Sequence, residues 1–412
     1  MKTPEYSPDP AACRGEARCP HFGECGGCQS QDIGYSDQVA QKAALLQTLI
    51  SGYWPGPVPV SPSPVVWHYR NKVDPAFAPM RYPEPPPPGF VRETVLGFKR
   101  KGRWFWPLDI GECHIGPEGL DTLLGAVRGW YRAAGLRGFD SRSGEGFLRV
   151  LLVRDAKRTG ERMVVLITRP GPFDSKPFLD AILPVYPAVR VYRGIFSGLA
   201  DVAAAEELEL LYGAPHITER LRISDPDGAR EFEFRISPMS FFQTNPAATE
   251  SLYGAIRAWL KRAAPETLYD LYGGSGGIAF SCADLVRRVW SVESVEEASR
   301  DGRDNARRNG IDNVYFLTED VRKYLKRLLE EDGVDPGAAA VIDPPRSGLH
   351  PKVLRRLIEL SPARLLYVSC NPKILARELP DFLDRYRLES IEAFDLFPHT
   401  RHVEALAALT AR

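Results

Sequence analysis

The spacing of apolar positions changes twice along the chain. Residues 13–31 are small, polar and cysteine-rich, with no period. Tyr35–Ile50 (YSDQVAQKAALLQTLI) has apolar residues at helical spacing, which predicts a helix with Ser36 as its N-cap. Two proline-rich stretches follow, 55–64 and Pro83–Pro88, the second reading as an exposed loop or hairpin tip. From Tyr69 to about Arg235, short β-rich runs bounded by glycine, proline and charge dominate, as in Val95–Phe98, Phe147–Arg154 and Met163–Thr168. Leu120–Ala134 is the clearest helical interruption, so this stretch predicts a mixed α+β unit. From Pro246 the pattern becomes helix–strand alternation. A helix over Ala247–Arg262 precedes strands at Thr267–Tyr272, Val289–Val292, Val314–Leu317, Ala339–Ile342 and Arg364–Val368. That alternation predicts an α/β fold with a doubly wound, Rossmann-like parallel sheet. The expected organisation is a cysteine-rich region with its helix at 1–50, a central α+β unit at 51–235 and the α/β unit at 236–412.

A length of 412 residues exceeds one typical core, and 44% apolar with 26% charged residues is ordinary for a globular chain. No apolar run approaches the roughly 20 residues needed to span a bilayer. The start, MKTPEYSPDP, lacks the apolar stretch of a secretory signal. Cytoplasmic residence is therefore expected, with no membrane contact, and no feature calls for an obligate protein partner. Lysine plus arginine and aspartate plus glutamate both number 53, which leaves a nucleic-acid partner open. A neutral total is compatible with local basic runs such as Lys99-Arg100-Lys101 and the arginines of 300–308. The seven cysteines are an odd set for a disulfide framework, and four lie within the first 28 residues.

Five motifs carry chemistry. Cys19, Cys25 and Cys28, spaced by glycines in CPHFGECGGC, can wrap one small inorganic centre. Cys113 (GECHIG) is the natural fourth ligand and Cys13 an alternative, whereas Cys282 reads as a buried helix residue. Thiolates hold both [4Fe–4S] clusters and zinc, and spacing alone does not separate them. Asp270-Leu-Tyr272-Gly-Gly274-Ser-Gly-Gly ends a strand in a glycine-rich turn that lets a cofactor approach the backbone. The next strand ends at Glu293, where a carboxylate can accept ribose hydroxyls. The one after ends at Glu319-Asp320, where an acid can meet an adenine amino group. These three strand ends look like an S-adenosylmethionine pocket, with a dinucleotide pocket as the rival. Asp343-Pro-Pro-Arg346 fixes an acid at a strand's C-terminal end. Tyr367-Val-Ser-Cys370-Asn-Pro places a thiol at a strand mouth, where it can add to C6 of a pyrimidine and make C5 nucleophilic. Loss of the C5 proton then needs a base, and Glu404 of Pro398-His-Thr-Arg-His402-Val-Glu404 can serve.

As a set, these residues resemble the RNA uracil-C5 methyltransferases that act on 23S rRNA or tRNA. The resemblance runs from about Cys19 to the C-terminus, through the cysteine motif, Tyr69-Arg-Asn-Lys72, Phe241-Phe-Gln-Thr-Asn245, DLYGGSG, DPPRSG, SCNP and HVE. It implies a [4Fe–4S] cluster on Cys19, Cys25, Cys28 and Cys113, Cys370 as nucleophile and Glu404 as proton acceptor. It also implies cofactor contacts from Gln243, Tyr272, Gly274, Glu293, Asp320 and Asp343, with Gln243 and Asp343 touching the uracil edge. The motifs depart from the family at Gly273, where Cys or Ser is usual, at Gly277, often Asn, and at Lys373. Cys19 stands too early for the N-terminal β-barrel many relatives carry, and relatives of that form favour 23S rRNA. The rivals are tRNA methylation, cytosine-C5 methylation, a small-molecule methyltransferase and a non-catalytic iron–sulfur RNA-binding protein.

Overall fold

The computed structural model describes residues 15–412 apart from Pro85, Pro88, Ala188, 333–334 and Pro336. Cys13 lies outside the described residues. Helix α1 (Tyr35–Ile50) has Gly34 as its N-cap, and no side chain caps it, so the expected cap at Ser36 is corrected. A tertiary anchor sets this helix start: the Tyr35 ring is buried and its hydroxyl donates to Asp395 at 3.0 Å.

After β1 (Val60–Ser61) come β2 (Lys72–Val73), β3 (Ala76–Pro79), β4 (Thr94–Arg100), β5 (Arg103–Asp109) and α2 (Leu120–Ala133). Then follow β6 (Leu148–Asp155), β7 (Arg162–Thr168), α3 (Ser175–Ile182), β8 (Val189–Ile195) and β9 (Glu207–Tyr212). Apart from β1, these strands form one sheet of order β5-β4-β3-β6-β7-β8-β9, with β2 also on β6. Strand β6 is buried along its whole length because both faces are covered. Helices α2 and α3 cover one face, where Leu123, Val127 and Phe178 meet Leu151 and Val164. The other face, including Leu152 and Val165, packs on the hairpin β10 (Ile217–Asp225) and β11 (Gly228–Ile236) and on α4 (Pro246–Ala263).

The rest of the chain alternates β12 (Thr267–Leu271), α5 (Gly277–Cys282), β13 (Arg288–Glu293), α6 (Glu296–Arg308), β14 (Val314–Thr318) and α7 (Val321–Arg327). It continues with β15 (Ala339–Ile342), α8 (Pro351–Leu360), β16 (Arg364–Ser369), α9 (Pro372–Leu383), β17 (Tyr386–Phe394) and β18 (Glu404–Ala411). The sheet order is β1-β17-β18-β16-β15-β12-β13-β14. Strands β12 to β16 run parallel, and β18 enters antiparallel between β16 and β17. The expected doubly wound, Rossmann-like α/β sheet is therefore present. Its order reverses between β12 and β15, the switch point at which such sheets open a crevice.

Packing does not follow the expected boundaries at 50/51 and 235/236. Strand β1 pairs with β17, and Leu46, Ile50 and Val58 share a core with Leu271 and Ile342. The hairpin before residue 236 shares a core with Leu252 and Ile256 of α4.

Candidate active site

Strand register brings the proposed chemistry to one edge. Ser369 of β16 pairs with Ala405 of antiparallel β18. Cys370 and Glu404 stand one step beyond that pair, at the C-terminal mouth of the sheet. Ile342 pairs with both Leu271 and Tyr367, so Asp343 stands at the same mouth between Tyr272 and the Cys370 turn. Val292 pairs with Leu271, which sets Glu293 level with Tyr272.

The mouth gathers buried carboxyl groups, and burial favours their neutral forms. Asp270, near the end of β12 and wholly buried, is pushed up to about 7, chiefly by burial. Burial and the Asp270 charge push Asp343 up to about 7 as well. Glu404 is 2% exposed, and burial followed by the Asp343 charge raises it well above the usual carboxylate range. One oxygen of Asp270 and one of Glu404 have no hydrogen-bond partner among the described residues. Cys370 is half-buried and pushed up to about 11, by burial first and then by Glu404 and Asp343, with Arg346 opposing. Arg346 also meets His402 Nδ1 at 3.1 Å, and its carbonyl accepts from Asn371 Nδ2 at 3.2 Å. Asp270 went unnoticed as a site residue at the sequence level. Its signal was an acid near the end of an otherwise apolar buried strand.

On the cofactor side, Gly274 N donates to Glu293 Oε2 at 3.1 Å, and Glu293 Oε1 accepts from Val295 N at 2.7 Å. Tyr272 and Gly274 both take positive φ, 65° and 56°, which exposes the turn's backbone. A cavity of about 740 Å³ opens beside them, lined by Tyr272, Ser294, Asp320 and Val321 among others. Asp320 caps α7 through Arg322 N at 2.8 Å and pairs with the Arg322 guanidinium, which holds its carboxyl below the usual range.

The departures at Gly273 and Gly277 have a steric cause. A Cβ at Gly273 would stand 2.1 Å from Ser291 Oγ and 2.7 Å from Asp270 Oδ2. The Ser291 hydroxyl fills that space and donates to Asp270 at 3.0 Å. A Cβ at Gly277 would meet the Tyr253 hydroxyl at 2.5 Å. Lys373 is exposed on the first turn of α9.

Gln243 reaches the same mouth, its Nε2 donating to Asp343 Oδ2 at 3.3 Å. Buried neighbours hold its backbone: Asn71 Nδ2 donates to Gln243 O at 2.8 Å, and Asn71 N donates to Thr244 O at 2.9 Å. Upstream, Asp301 accepts from Ser237 and Ser240, and Arg154 donates to the carbonyls of Pro238 and Ser240.

Cys19, Cys25, Cys28 and Cys113 line one cavity of about 270 Å³, with His21, Asp74 and Glu112 at its wall. None of the four is in a disulfide. Among the described residues, no group of three or more His, Cys, Asp or Glu side chains is placed to hold a metal ion. Cys282 is fully buried at the end of α5. The cysteine segment is tied to the loop that leads to Glu404. Gln29 N and Ser30 N donate to His399 O at 2.8 and 3.1 Å, and His399 N donates to Gln38 Oε1 at 2.9 Å. The His399 ring stacks on Trp67 at 3.9 Å, and the Tyr69 hydroxyl donates to Pro398 O at 3.1 Å.

A thiol and a carboxylate thus meet at the mouth of a doubly wound sheet, beside a glycine-rich turn and a strand-end acid. Comparison with known proteins specifies it further. The tRNA (uracil-5-)-methyltransferase family profile matches residues 199–412. An RNA methyltransferase of Caldanaerobacter subterraneus is 33% identical over 407 residues, covering 96% of this chain and 84% of the relative. The tRNA (uracil(54)-C(5))-methyltransferase of Pyrococcus horikoshii is 31% identical over 394 residues, covering 95% and 85%. The crystal structure of the Pyrococcus abyssi tRNA (uracil-54, C5)-methyltransferase with S-adenosyl-L-homocysteine superposes with a TM-score of 0.73 at 28% identity, covering 93% of this chain and 86% of that one. The chain belongs to the tRNA (uracil-5-)-methyltransferase family and is an RNA methyltransferase. Among the described residues no helix is long and apolar enough to cross a membrane.

Proposed function

We propose that this chain methylates C5 of a uridine in RNA with S-adenosylmethionine, through a covalent bond from Cys370 to C6. One observation carries this reading: the register that sets Cys370 and Glu404 side by side at the sheet mouth. The cofactor supplies an electrophilic methyl group. An unpaired or flipped uridine enters the mouth. As the thiolate, its proton lost to water, Cys370 Sγ bonds to C6, which would place electron density on C5 for bond formation to the methyl carbon as that carbon's bond to the cofactor sulfur breaks. Glu404 takes the C5 proton, and the C6–S bond breaks to restore the ring and the thiolate. Gln243 and Asp343, joined by a hydrogen bond at the mouth, would face the uracil edge.

Glu293 is our ribose acceptor. Glu293→Ala should weaken S-adenosylmethionine binding by about 1–3 kcal/mol, the range for a hydrogen bond to a charged group. Unchanged affinity by calorimetry with an intact fold would remove Glu293 from that role.

Two RNAs serve as targets in the test. 23S rRNA is the target implied by the sequence resemblance. tRNA is favoured by the named substrates of the two Pyrococcus enzymes. The experiment maps 5-methyluridine in both RNAs from cells with and without the gene. Loss of the modification from one of them identifies the target, and loss from neither rejects the reading.

The cysteine set fits a [4Fe–4S] cluster held by Cys19, Cys25, Cys28 and Cys113. The four thiols line one cavity, and cysteine thiolates hold such inorganic centres. The cluster's part is structural, since Cys370 and the acids account for the chemistry. Anaerobically purified protein should be brown, with about four irons per chain. Stoichiometric zinc without iron would reject the cluster.

A further inference from the structure

We propose that the turn joining β4 and β5 is an RNA-gripping ridge, with Lys101 and Arg103 on phosphates and Phe105 stacked on an unpaired base. The proposal rests on the RNA reading above and names the surface that would hold the substrate outside the mouth.

The turn is tight: Arg100 pairs with Arg103, and Gly102 takes a φ of 72° that favours glycine. It crowds Lys99, Arg100, Lys101 and Arg103 into five positions. Two of these cations are neutralised, Lys99 by Asp201 and Arg100 by Glu24. Lys101 and Arg103 are exposed and meet no carboxylate among the described residues. The Arg103 guanidinium lies over the half-buried Trp106 ring, 5.1 Å from its centroid. Phe105 is 45% exposed on the same strand. Uncompensated cations beside an exposed aromatic ring are what single-stranded RNA recognition uses, cations for the backbone and a ring for the bases. Two arginines of α6 are neutralised in the same way, Arg307 by Asp304 and Arg308 by Glu233.

The position of the ridge is fixed from the site side. Gly26 N donates to Lys99 O at 2.9 Å, Lys101 N donates to Glu24 O at 2.7 Å, and Cys25 bridges Arg100. Three residues after Gly26, Gln29 N already holds His399 O in the loop that leads to Glu404. Three residues of extended chain span at most roughly 11 Å. The cysteine segment thus ties the ridge to the loop that leads to Glu404. RNA delivering a uridine to Cys370 would run across Lys101, Arg103 and Phe105.

The test uses the full-length enzyme and an unmodified RNA transcript that the wild type methylates, with affinity measured from 50 to 300 mM salt. Lys101→Ala/Arg103→Ala should weaken binding at low salt about tenfold or more. It should also flatten the slope of log K against log salt by about 1.4–1.8, the loss of two phosphate contacts. Phe105→Ala should weaken binding about 5- to 150-fold with the slope unchanged. Unchanged S-adenosylmethionine affinity and melting temperature would show that each variant is folded. If the wild type methylates RNA while both variants keep its affinity and salt slope, the ridge is overturned and the RNA reading stands. If the wild type forms no 5-methyluridine in any RNA offered, the parent reading fails, and the ridge with it.

Discussion

Replacing Cys370 with alanine should abolish both turnover and covalent capture of RNA. C5 of uracil is a weak nucleophile, and only addition at C6 makes it attack a methyl group. Removal of the attacking sulfur should therefore cost roughly 10⁴-fold or more in rate. The fold should survive, because Cys370 is half-buried beyond the end of β16, where truncation leaves no core cavity. The pH dependence has a definite sign. Burial, Glu404 and Asp343 push the Cys370 thiol up to about 11, so the reactive thiolate is a minority at neutral pH and grows as pH rises. Capture by the wild-type enzyme in the absence of cofactor should increase between pH 7 and 9, by about tenfold per unit while the thiol is mostly protonated. Cys370→Ala should give no captured band at any pH on a denaturing gel. A band that persists in this variant would mean that another group attacks.

Much of the α/β sheet was legible because its central strands β12, β15 and β16 are buried on both faces and read as apolar runs. Ala339–Ile342 was bounded correctly for that reason. The predicted strand at Thr267–Tyr272 stops at Leu271, because Tyr272 turns into positive φ to open the glycine-rich turn. Strand β1 was illegible: it has only two residues, and its partner β17 lies at the far end of the chain. Residues 35–61 consequently looked like part of the N-terminal units, although α1 and β1 pack on the C-terminal sheet. The strand-end positions of Asp343, Cys370 and Glu293 followed from where apolar runs stop. The adjacency of Cys370 and Glu404 did not, because it depends on β18 inserting antiparallel beside β16. Local pattern carries no information about which strands become neighbours. Asp270 was missed for a related reason: its burial near the end of β12 comes from the layers around it.

The variant Glu404→Gln should fail at a different point from Cys370→Ala, methylating once and then remaining attached to RNA. Collapse of the adduct requires the C5 proton to leave, and only then can the C6–S bond break. Glu404 has the means to take that proton. It is buried, one of its oxygens has no hydrogen-bond partner, and its carboxyl is raised well above the usual range by burial and the Asp343 charge. A carboxylate held in that way is a stronger base than one in water. Glutamine keeps the size of the side chain and removes the basic oxygen, so addition and methyl transfer should proceed in a single round. The loss of multiple turnover should be about 10²–10⁴-fold, the usual contribution of a positioned base. With methyl-labelled cofactor, the product should be a slow-migrating band carrying label, RNA and protein, and Cys370→Ala/Glu404→Gln should lose it. Full turnover by Glu404→Gln would remove Glu404 from the mechanism and pass the base role to Asp343 or water. An unlabelled adduct would place Glu404 before methyl transfer, acting on the Cys370 thiol instead of the C5 proton.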